Sequence, residues 1–210
     1  MTTLAPFSRA TTVVDWRHPA IGARAQGLSR GWGPLGVVRA CFEWVRDCIP
    51  HTVDHGLDRV TCAASEVLRE GTGFCYAKSH LLAALLRANG IPTGFVYQRL
   101  TLDERGTSFC LHGLNAVWLP HVGWYRIDPR GNRHDLRADF DPPREVLPYA
   151  CAVPGERLFA SIWAEPLPIV VDALRKHRTR IDLEANLPDA ADLDPSAHAG
   201  SGVVAFKATA

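Results

Sequence analysis

Residues 71–92 of the chain read GTGFCYAKSHLLAALLRANGIP, and the fold can be worked out from this stretch. Its two glycines before Cys75 allow a tight backbone approach, and the leucines after Cys75 recur at helical spacing. The closing Gly-Ile-Pro sequence ends a helix. We therefore predict a helix that begins at Cys75, where free N–H groups and the positive end of the helix dipole favour a thiolate. Cys75 is the candidate nucleophile.

Two helices are predicted in the part of the chain before this helix. Apolar residues recur at spacings of three and four from Pro34 onward, which predicts an amphipathic helix that covers the core and ends before Pro50. Thr61 or Ser65 is suited to cap a short helix that runs through Leu68. We predict irregular structure over residues 1–30, with one short strand near residues 12–15, and a loop over residues 51–60.

After the Cys75 helix the pattern changes from helical to alternating. Three β-rich runs predict antiparallel strands over residues 93–102, 108–119 and 123–128, and a short turn around Pro120 joins the last two in a hairpin. Residues 129–165 are rich in Pro, Asp and Arg and are predicted to be mostly loop. A helix is predicted over 166–178. We expect a single domain over 1–185 and a mobile tail over 186–210, where few large apolar residues remain.

The hairpin brings a histidine and a carboxylate together. A turn centred on Pro120 places Ala116 opposite Trp124 and His112 opposite Asp128, with Cβ atoms about 5 Å apart. A shift by one residue would turn one of them to the other face of the sheet. The register therefore predicts an imidazole and a carboxylate side by side.

Cys75, His112 and Asp128 are the three residue types that nucleophilic thiol catalysis needs: a nucleophile, a base, and an acceptor that orients the base. The backbone N–H of Cys75 is a natural oxyanion donor. Gln98 and Tyr97, on the neighbouring strand, are candidates for the second donor.

Two further residues lie close to these in the sequence. His80 is five residues after Cys75, which places it on another face of the helix, so we predict a surface histidine or one whose hydrogen bonds are satisfied. Cys110 shares a strand face with His112. It is either a small core residue or a thiol that forms a reversible disulfide with Cys75 under oxidation.

Composition restricts the possible partners. The 210 residues carry a formal net charge of +1, which gives no sign of the basic patch that nucleic acid or an anionic membrane requires. The six cysteines include no CxxC pair, so a structural zinc site has little support, and no apolar run is long enough to span a bilayer. The first residues lack a signal-peptide core. We predict a cytoplasmic protein with no cofactor and leave its oligomeric state open.

Three ordered blocks resemble the bacterial transglutaminase-like superfamily. A G-x-C sequence opens a helix that ends in LLRAxGIP, His112 precedes Val-Trp-Leu-Pro, and Gly-Trp-Tyr-Arg-Ile precedes Asp128-Pro129. The resemblance covers about residues 61–132. It implies an α+β fold with a papain-like core in which the nucleophile helix packs on an antiparallel sheet. It also implies that Cys75 is the nucleophile, His112 the general base and acid, and Asp128 the orienting carboxylate.

The chain departs from the family beside His112, where members often have H-x-W-x-E and this chain has His-Gly-Leu-Asn-Ala. Substrate preference therefore cannot be transferred. The sequence has no Ca²⁺-loop pattern, so we expect no metal requirement.

The function predicted from the sequence is cysteine-dependent acyl transfer from a peptide bond or a Gln or Asn side-chain amide, through a thioester, with hydrolysis favoured over transamidation. The alternatives are a non-catalytic binding or scaffold domain, and an enzyme similar to arylamine acetyltransferases that uses an acyl thioester. Alkylation of Cys75 and hydrolysis of acyl-CoA, respectively, would separate these.

Overall fold

A computed structural model describes residues 3–103, 105–194 and 202–206 of the chain. A short 3-10 helix spans Ala5–Ser8. The helices of this described part are α1 (Pro19–Ser29), α2 (Pro34–Cys48), α3 (Ala64–Glu70), α4 (Cys75–Ala88), α5 (Pro168–Lys176) and α6 (Arg180–Glu184). Its strands are β1 (Thr93–Thr101), β2 (Phe109–Leu119), β3 (Gly123–Ile127), β4 (Asp139–Asp141), β5 (Arg144–Val146), β6 (Arg157–Leu158), β7 (Ser161–Trp163) and β8 (Val203–Ala205).

A mainly antiparallel sheet and the central helix α4 form the core. The sheet has the order β3-β2-β1-β7-β8, with β6 also paired to β1, and β4 and β5 form a separate small sheet. Helix α4 contacts β1 and β2 on one side and α1, α2 and α3 on the other, which buries every residue from Cys75 to Arg87. The α+β fold predicted from the sequence is confirmed.

The first turn of α4 lies very close to β2. A Cβ atom on Gly113 would come within 2.9 Å of the Tyr76 ring, so a larger residue would push the helix away from the strand. Ser79 Oγ donates to the Gly113 carbonyl at 3.1 Å, and Asn115 Nδ2 donates to the Ser79 carbonyl at 3.1 Å. These contacts fix the position of Cys75 relative to the strand that carries His112.

Two buried cations on α4 bind backbone carbonyls. Lys78 donates to the Arg46 carbonyl at 3.2 Å and to the Ile49 carbonyl, which satisfies the C-terminus of α2. Burial lowers the pKa of Lys78 to about 7. Arg87, at the other end of α4, donates to the Thr93 carbonyl at 2.6 Å. Both residues hold the ends of neighbouring elements against the helix.

Most of the predicted helices and strands are present, and most of the additional ones lie in segments that were predicted to be irregular or loop. Residues 19–29 form a helix rather than irregular structure, and four short strands lie within the segment 139–163 that was predicted to be loop. Helix α3 is capped by neither Thr61 nor Ser65, since its N-cap is Ala63. The nearby N–H groups donate instead to carboxylates, Cys62 to Glu66 and Ser65 to Asp15.

The segment after residue 186, predicted to be a mobile tail, packs on the sheet wherever the structure describes it. The Pro188 carbonyl accepts from Leu111 N at 2.7 Å, and Asp189 binds two Arg99 nitrogens at 2.7 Å. Strand β8 pairs with β7. The prediction missed this because the segment has few large apolar residues, and backbone hydrogen bonds and an ion pair add to the contacts that Leu187, Leu193 and Val203 make with the core. Residues 195–201 and 207–210 lie outside the described part.

The hairpin register differs from the prediction by two residues. Leu119 pairs with Gly123 across a three-residue loop, so Trp118 lies opposite Trp124. Positive φ angles at His121 (67°) and Gly123 (88°) accommodate this turn. The ladder ends at Asn115 and Ile127. A shift of two residues keeps each side chain on its predicted face, because the pleat has a period of two.

Candidate functional site

The three residues predicted to act together meet at one end of α4. Cys75 is the first residue of α4, His112 lies in β2, and Asp128 follows β3 directly. All three are buried, with exposed fractions of 8%, 5% and 0%. His112 Nε2 lies 2.5 Å from Asp128 Oδ2, although the two residues are not a register pair. Asp128, the residue after β3, thus reaches His112 on the neighbouring strand β2.

The bonds of Asp128 determine how the His112 ring is used. Its second oxygen, Oδ1, accepts from the backbone N–H of Arg130 at 2.9 Å, which fixes the carboxylate. Because Nε2 of His112 is bound to Asp128, the ring has Nδ1 left for the Cys75 side chain, with which His112 is also hydrogen-bonded. One imidazole therefore links a sulfur at a helix N-terminus to a buried carboxylate.

The charges around His112 favour its protonated form. Burial lowers the pKa of His112. The charges of Asp128 and Cys75 and the hydrogen bonds to both residues raise it by more, so that the pKa of His112 rises to about 10. At neutral pH the ring is therefore an imidazolium between two groups that can carry negative charge.

A cavity of about 310 Å³ opens beside Cys75 and His112. Its wall is mostly apolar, with polar groups at a few positions, as is typical of small-molecule and peptide sites. Besides Cys75 and His112, its polar lining residues include His51, Arg130, Tyr149, Glu156 and Glu184.

Tyr149 covers the imidazole from one side. Its ring lies edge-on to the His112 ring, with centroids 4.9 Å apart. Gln98, which faces His112 across the β1–β2 ladder, donates from Nε2 to the Tyr149 carbonyl at 3.1 Å and contacts Cys151 Sγ at 3.6 Å. Gln98 therefore holds the segment that carries Tyr149.

The structure does not group the two proposed second oxyanion donors with Cys75. The Gln98 amide is engaged by Tyr149, and the Tyr97 hydroxyl accepts from Leu167 N at 3.0 Å. Neither Gln98 nor Tyr97 is among the described residues that line the cavity. The backbone N–H of Cys75 lies in the first turn of α4, where N–H groups have no acceptor within the helix.

The other residues singled out in the sequence have clear positions. His80 is buried rather than at the surface, and its Nδ1 lies 2.8 Å from the Cys62 carbonyl. Cys110 lines the same cavity as Cys75, and burial, followed by the nearby Cys75, raises its pKa to about 12. All six cysteines are free thiols. Both interpretations of Cys110 stay predictions.

His51, Arg130 and Tyr149 are parts of the site that the sequence did not reveal. His51 comes from the segment after α2, where an isolated β-bridge pairs it with Gly73, two residues before Cys75. Arg130 follows Asp128 by two residues, and this short spacing was the one available signal. Tyr149 lies in a stretch without any periodic pattern, so nothing in the sequence connects it to His112.

Metal centres and membrane spans are absent from the part of the chain that the structure describes. Groups of three or more His, Cys, Asp or Glu side chains that could hold a metal ion do not occur there. Within the same residues, none of the helices is long and apolar enough to cross a membrane.

The sequence of this chain is similar to that of a known protein family. The family model described as the Transglutaminase-like superfamily matches residues 23–129. No curated protein matches the sequence.

Three solved structures are similar to part of the chain. A proposed cysteine protease from Cytophaga hutchinsonii matches 60% of this chain and 42% of its own, with 17% identity and a TM-score of 0.49. The periplasmic domain of TgpA from Pseudomonas aeruginosa matches over 53% and 42%, with 24% identity and a TM-score of 0.42. A proposed protease from Parabacteroides distasonis matches over 64% and 28%, with 14% identity and a TM-score of 0.41. The matched region thus spans less than half of each of these proteins.

Proposed function

Because the chain belongs to the transglutaminase-like superfamily, whose family model matches residues 23–129, we propose that it is a cysteine-dependent enzyme that transfers the acyl group of an amide. Family membership supports a cysteine-dependent enzyme. The finer proposal rests on one observation: the His112 ring binds the buried Asp128 through Nε2 and bonds with Cys75, the first residue of α4. A histidine that served only to fill the core would need neither neighbour.

In the proposed first half-reaction, the Cys75 thiolate attacks the carbonyl carbon of an amide. The C–O π electrons move to oxygen, and the resulting oxyanion accepts a hydrogen bond from the backbone N–H of Cys75. His112 donates its Nδ1 proton to the leaving nitrogen as the C–N bond breaks. The products are a Cys75 thioester, a neutral imidazole and a free amine or ammonia.

In the second half-reaction, neutral His112 takes a proton from water or from a second amine, which attacks the thioester carbonyl. The C–S bond breaks, and the thiolate and imidazolium are restored. Asp128 remains ionised throughout and holds the ring in the tautomer that places Nδ1 at the sulfur. We favour hydrolysis over transamidation, since water needs no binding site of its own.

We propose a peptide bond or a Gln or Asn side-chain amide in a peptide or protein as the substrate, and a cytoplasmic location for the reaction. The cavity of about 310 Å³ beside Cys75 is large enough for a side chain and its flanking backbone.

The test is to trap the acyl-enzyme with three donors: a glutamine peptide, a small peptide ester and a peptide thioester. Mass spectrometry of the intact protein and of its Cys75 peptide identifies the adduct. We expect an acyl group on Cys75 in the wild type, and a rate of turnover lower by about a thousandfold or more in Cys75→Ala. Cys110→Ala is the matched control, because it removes the other thiol of the same cavity.

Two outcomes would contradict the proposal. Full turnover by Cys75→Ala would show that another residue is the nucleophile. Failure of every donor, together with alkylation of Cys75 no faster than that of a free thiol at neutral pH, would support the non-catalytic scaffold instead.

A further inference from the structure

Arg130 is a buried cation in the wall of the cavity beside Cys75. Its side chain is 6% exposed, and Nη2 donates to Asp54 Oδ1 at 2.8 Å. Among the described residues, its Nη1 has no hydrogen-bond acceptor. The guanidinium carbon lies 5.7 Å from the centre of the Tyr149 ring, beside the His112 ring that Tyr149 covers. A buried donor that lacks an acceptor is costly and needs an explanation.

The carboxylates on the cavity wall are already satisfied. Glu156 accepts hydrogen bonds from three backbone N–H groups, and Glu184 is paired with Arg180. Asp54, the partner of Arg130, also lies 3.4 Å from Arg133 and 3.7 Å from His51. The cavity wall therefore contains a cation with an unused hydrogen-bond donor, whereas its carboxylates already have hydrogen-bond partners.

The proposed chemistry increases this imbalance. Before acylation, the Cys75 thiolate of the proposed mechanism is close enough to Arg130 for the two charges to attract each other. Formation of the thioester removes that negative charge and leaves Arg130 in place. A carboxylate on the acyl group would restore the balance, and it is the planar anion that a guanidinium binds best.

We propose that the acyl donor carries a carboxylate close to the reacting amide, and that Arg130 binds this carboxylate. The proposal rests on the function proposed above, since it assumes that Cys75 is acylated. Arg130 is then a residue that determines specificity. The carboxylate has two sources in peptides, either the C-terminus of the peptide beside the amide or an acidic side chain next to it.

Two alkylating reagents test this without knowledge of the natural substrate. Iodoacetate is an anion and iodoacetamide is its neutral counterpart, and both attack the same thiolate. The ratio of their rates at Cys75 therefore reports on the anion site and not on the amount of thiolate. The exposed Cys48 and Cys151 provide an internal reference ratio in the same sample.

We expect the iodoacetate to iodoacetamide ratio at Cys75 to exceed the reference ratio by about tenfold or more, the effect of a charge-assisted hydrogen bond. Arg130→Gln should remove most of this excess and leave only the part due to the His112 imidazolium, while Arg130→Lys should keep part of the Arg130 effect. Arg133→Gln is the matched control, because Arg133 shares Asp54 but is 47% exposed, where charges are screened. It should leave the ratio unchanged.

The possible failures can be told apart. Fast labelling of Cys75 by both reagents at the reference ratio would overturn the anion proposal and leave the nucleophile intact. Slow labelling by both would count against the proposed function itself. An equal loss in Arg133→Gln and Arg130→Gln would point to a diffuse positive field and overturn the assignment to Arg130. If Arg130→Gln does not fold, the wild-type ratio and Arg130→Lys still decide.

Substrates then identify the source of the carboxylate. N-acetylglutamine offers a free α-carboxylate, acetyl-Glu-Gln-amide offers an acidic side chain, and N-acetylglutaminamide is neutral. We expect Arg130→Gln to slow acylation by one of the two anionic donors by about tenfold and to leave the neutral donor unchanged. Equal rates for all three donors in the wild type would overturn the proposal.

Discussion

His80 and His112 are both almost completely buried, yet their surroundings shift their pKa values in opposite directions. His80 lies inside α4, with Nδ1 on the Cys62 carbonyl and its ring edge-on to Phe95. Burial lowers its pKa to about 4, against the smaller effect of the carbonyl. For His112 the neighbouring Asp128 and Cys75 outweigh burial, and its pKa rises to about 10.

The difference shows that burial alone does not prepare a histidine for catalysis. Burial keeps His80 neutral, because the carbonyl that accepts its N–H brings no full charge and offsets only part of the effect of burial. A carboxylate and a sulfur hold the charged form of His112. The sign of the effect is decided by the partner, and the three predictions below test this from the largest expected effect to the smallest.

Asp128→Ala removes the partner and should make His112 behave like His80. Loss of one member of a buried ion pair costs about 3–5 kcal/mol of the free energy of unfolding. We expect the pKa of His112 to fall below its ordinary value, as burial becomes the dominant effect, and acylation to slow by about a thousandfold. Nitrogen NMR of the imidazole and single-turnover acylation measure these.

Asp128→Asn is the matched variant, because an amide oxygen can still orient the ring in cysteine enzymes. It should slow acylation less than Asp128→Ala. Because the folded pKa of His112 is raised, the part of the stabilising effect of Asp128 that comes from the His112 charge is fully present below about pH 6.5 and is lost as the pH rises through about 10. A stability difference between wild type and Asp128→Ala that is as large above pH 10 as at pH 6 would contradict this assignment.

The sequence predicted the parts of the site that local patterns encode. The start of α4 at Cys75 follows from glycines, leucine spacing and the closing Gly-Ile-Pro, all within 22 residues of the chain. His112 and Asp128 came together although the predicted register was wrong by two residues. The two-residue period of a strand tolerates that error, and it would not have tolerated an error of one.

The features of the site and fold that the sequence did not predict depend on contacts between distant segments, which local periodicity does not report. Tyr149 reaches His112 from a region without a regular pattern, and the segment at 188–189 binds β1 and β2 through a carbonyl and one ion pair. The charge of a buried histidine is equally non-local. For His80 the sequence left open a surface position or satisfied hydrogen bonds, because its partner, the Cys62 carbonyl, comes from outside its own helix.

The second prediction concerns His80. Its folded pKa is lowered, so the unfolded chain binds a proton that the folded chain does not as the pH falls from about 6.5 to about 4. His80 should therefore destabilise the protein by about 3 kcal/mol across this range. Urea unfolding of the wild type and His80→Gln at several pH values measures the difference, which should shrink toward low pH.

His80→Gln will be less stable than the wild type at neutral pH, since it loses the packed ring. The decisive quantity is the slope of the stability difference with pH, and not its value at one pH. A constant difference between pH 4 and 7 would mean that folding does not change the pKa of His80. The contrast with His112 would then be one of degree.

The smallest expected effects come from the two aromatic rings that lie edge-on to His112 and His80. Tyr149→Leu removes the ring that covers His112 and should cost about 1 kcal/mol of stability and slow acylation by about fivefold, while Tyr149→Phe keeps the ring and the rate. Phe95→Leu removes the corresponding ring from His80 and should cost at least as much stability, because Phe95 is buried in the core, yet leave acylation unchanged. Chemical unfolding and single-turnover acylation measure both quantities for each variant. If Phe95→Leu slowed acylation as much as Tyr149→Leu, the effect of Tyr149 would be one of general packing, and the environment of His112 would not be special in this respect.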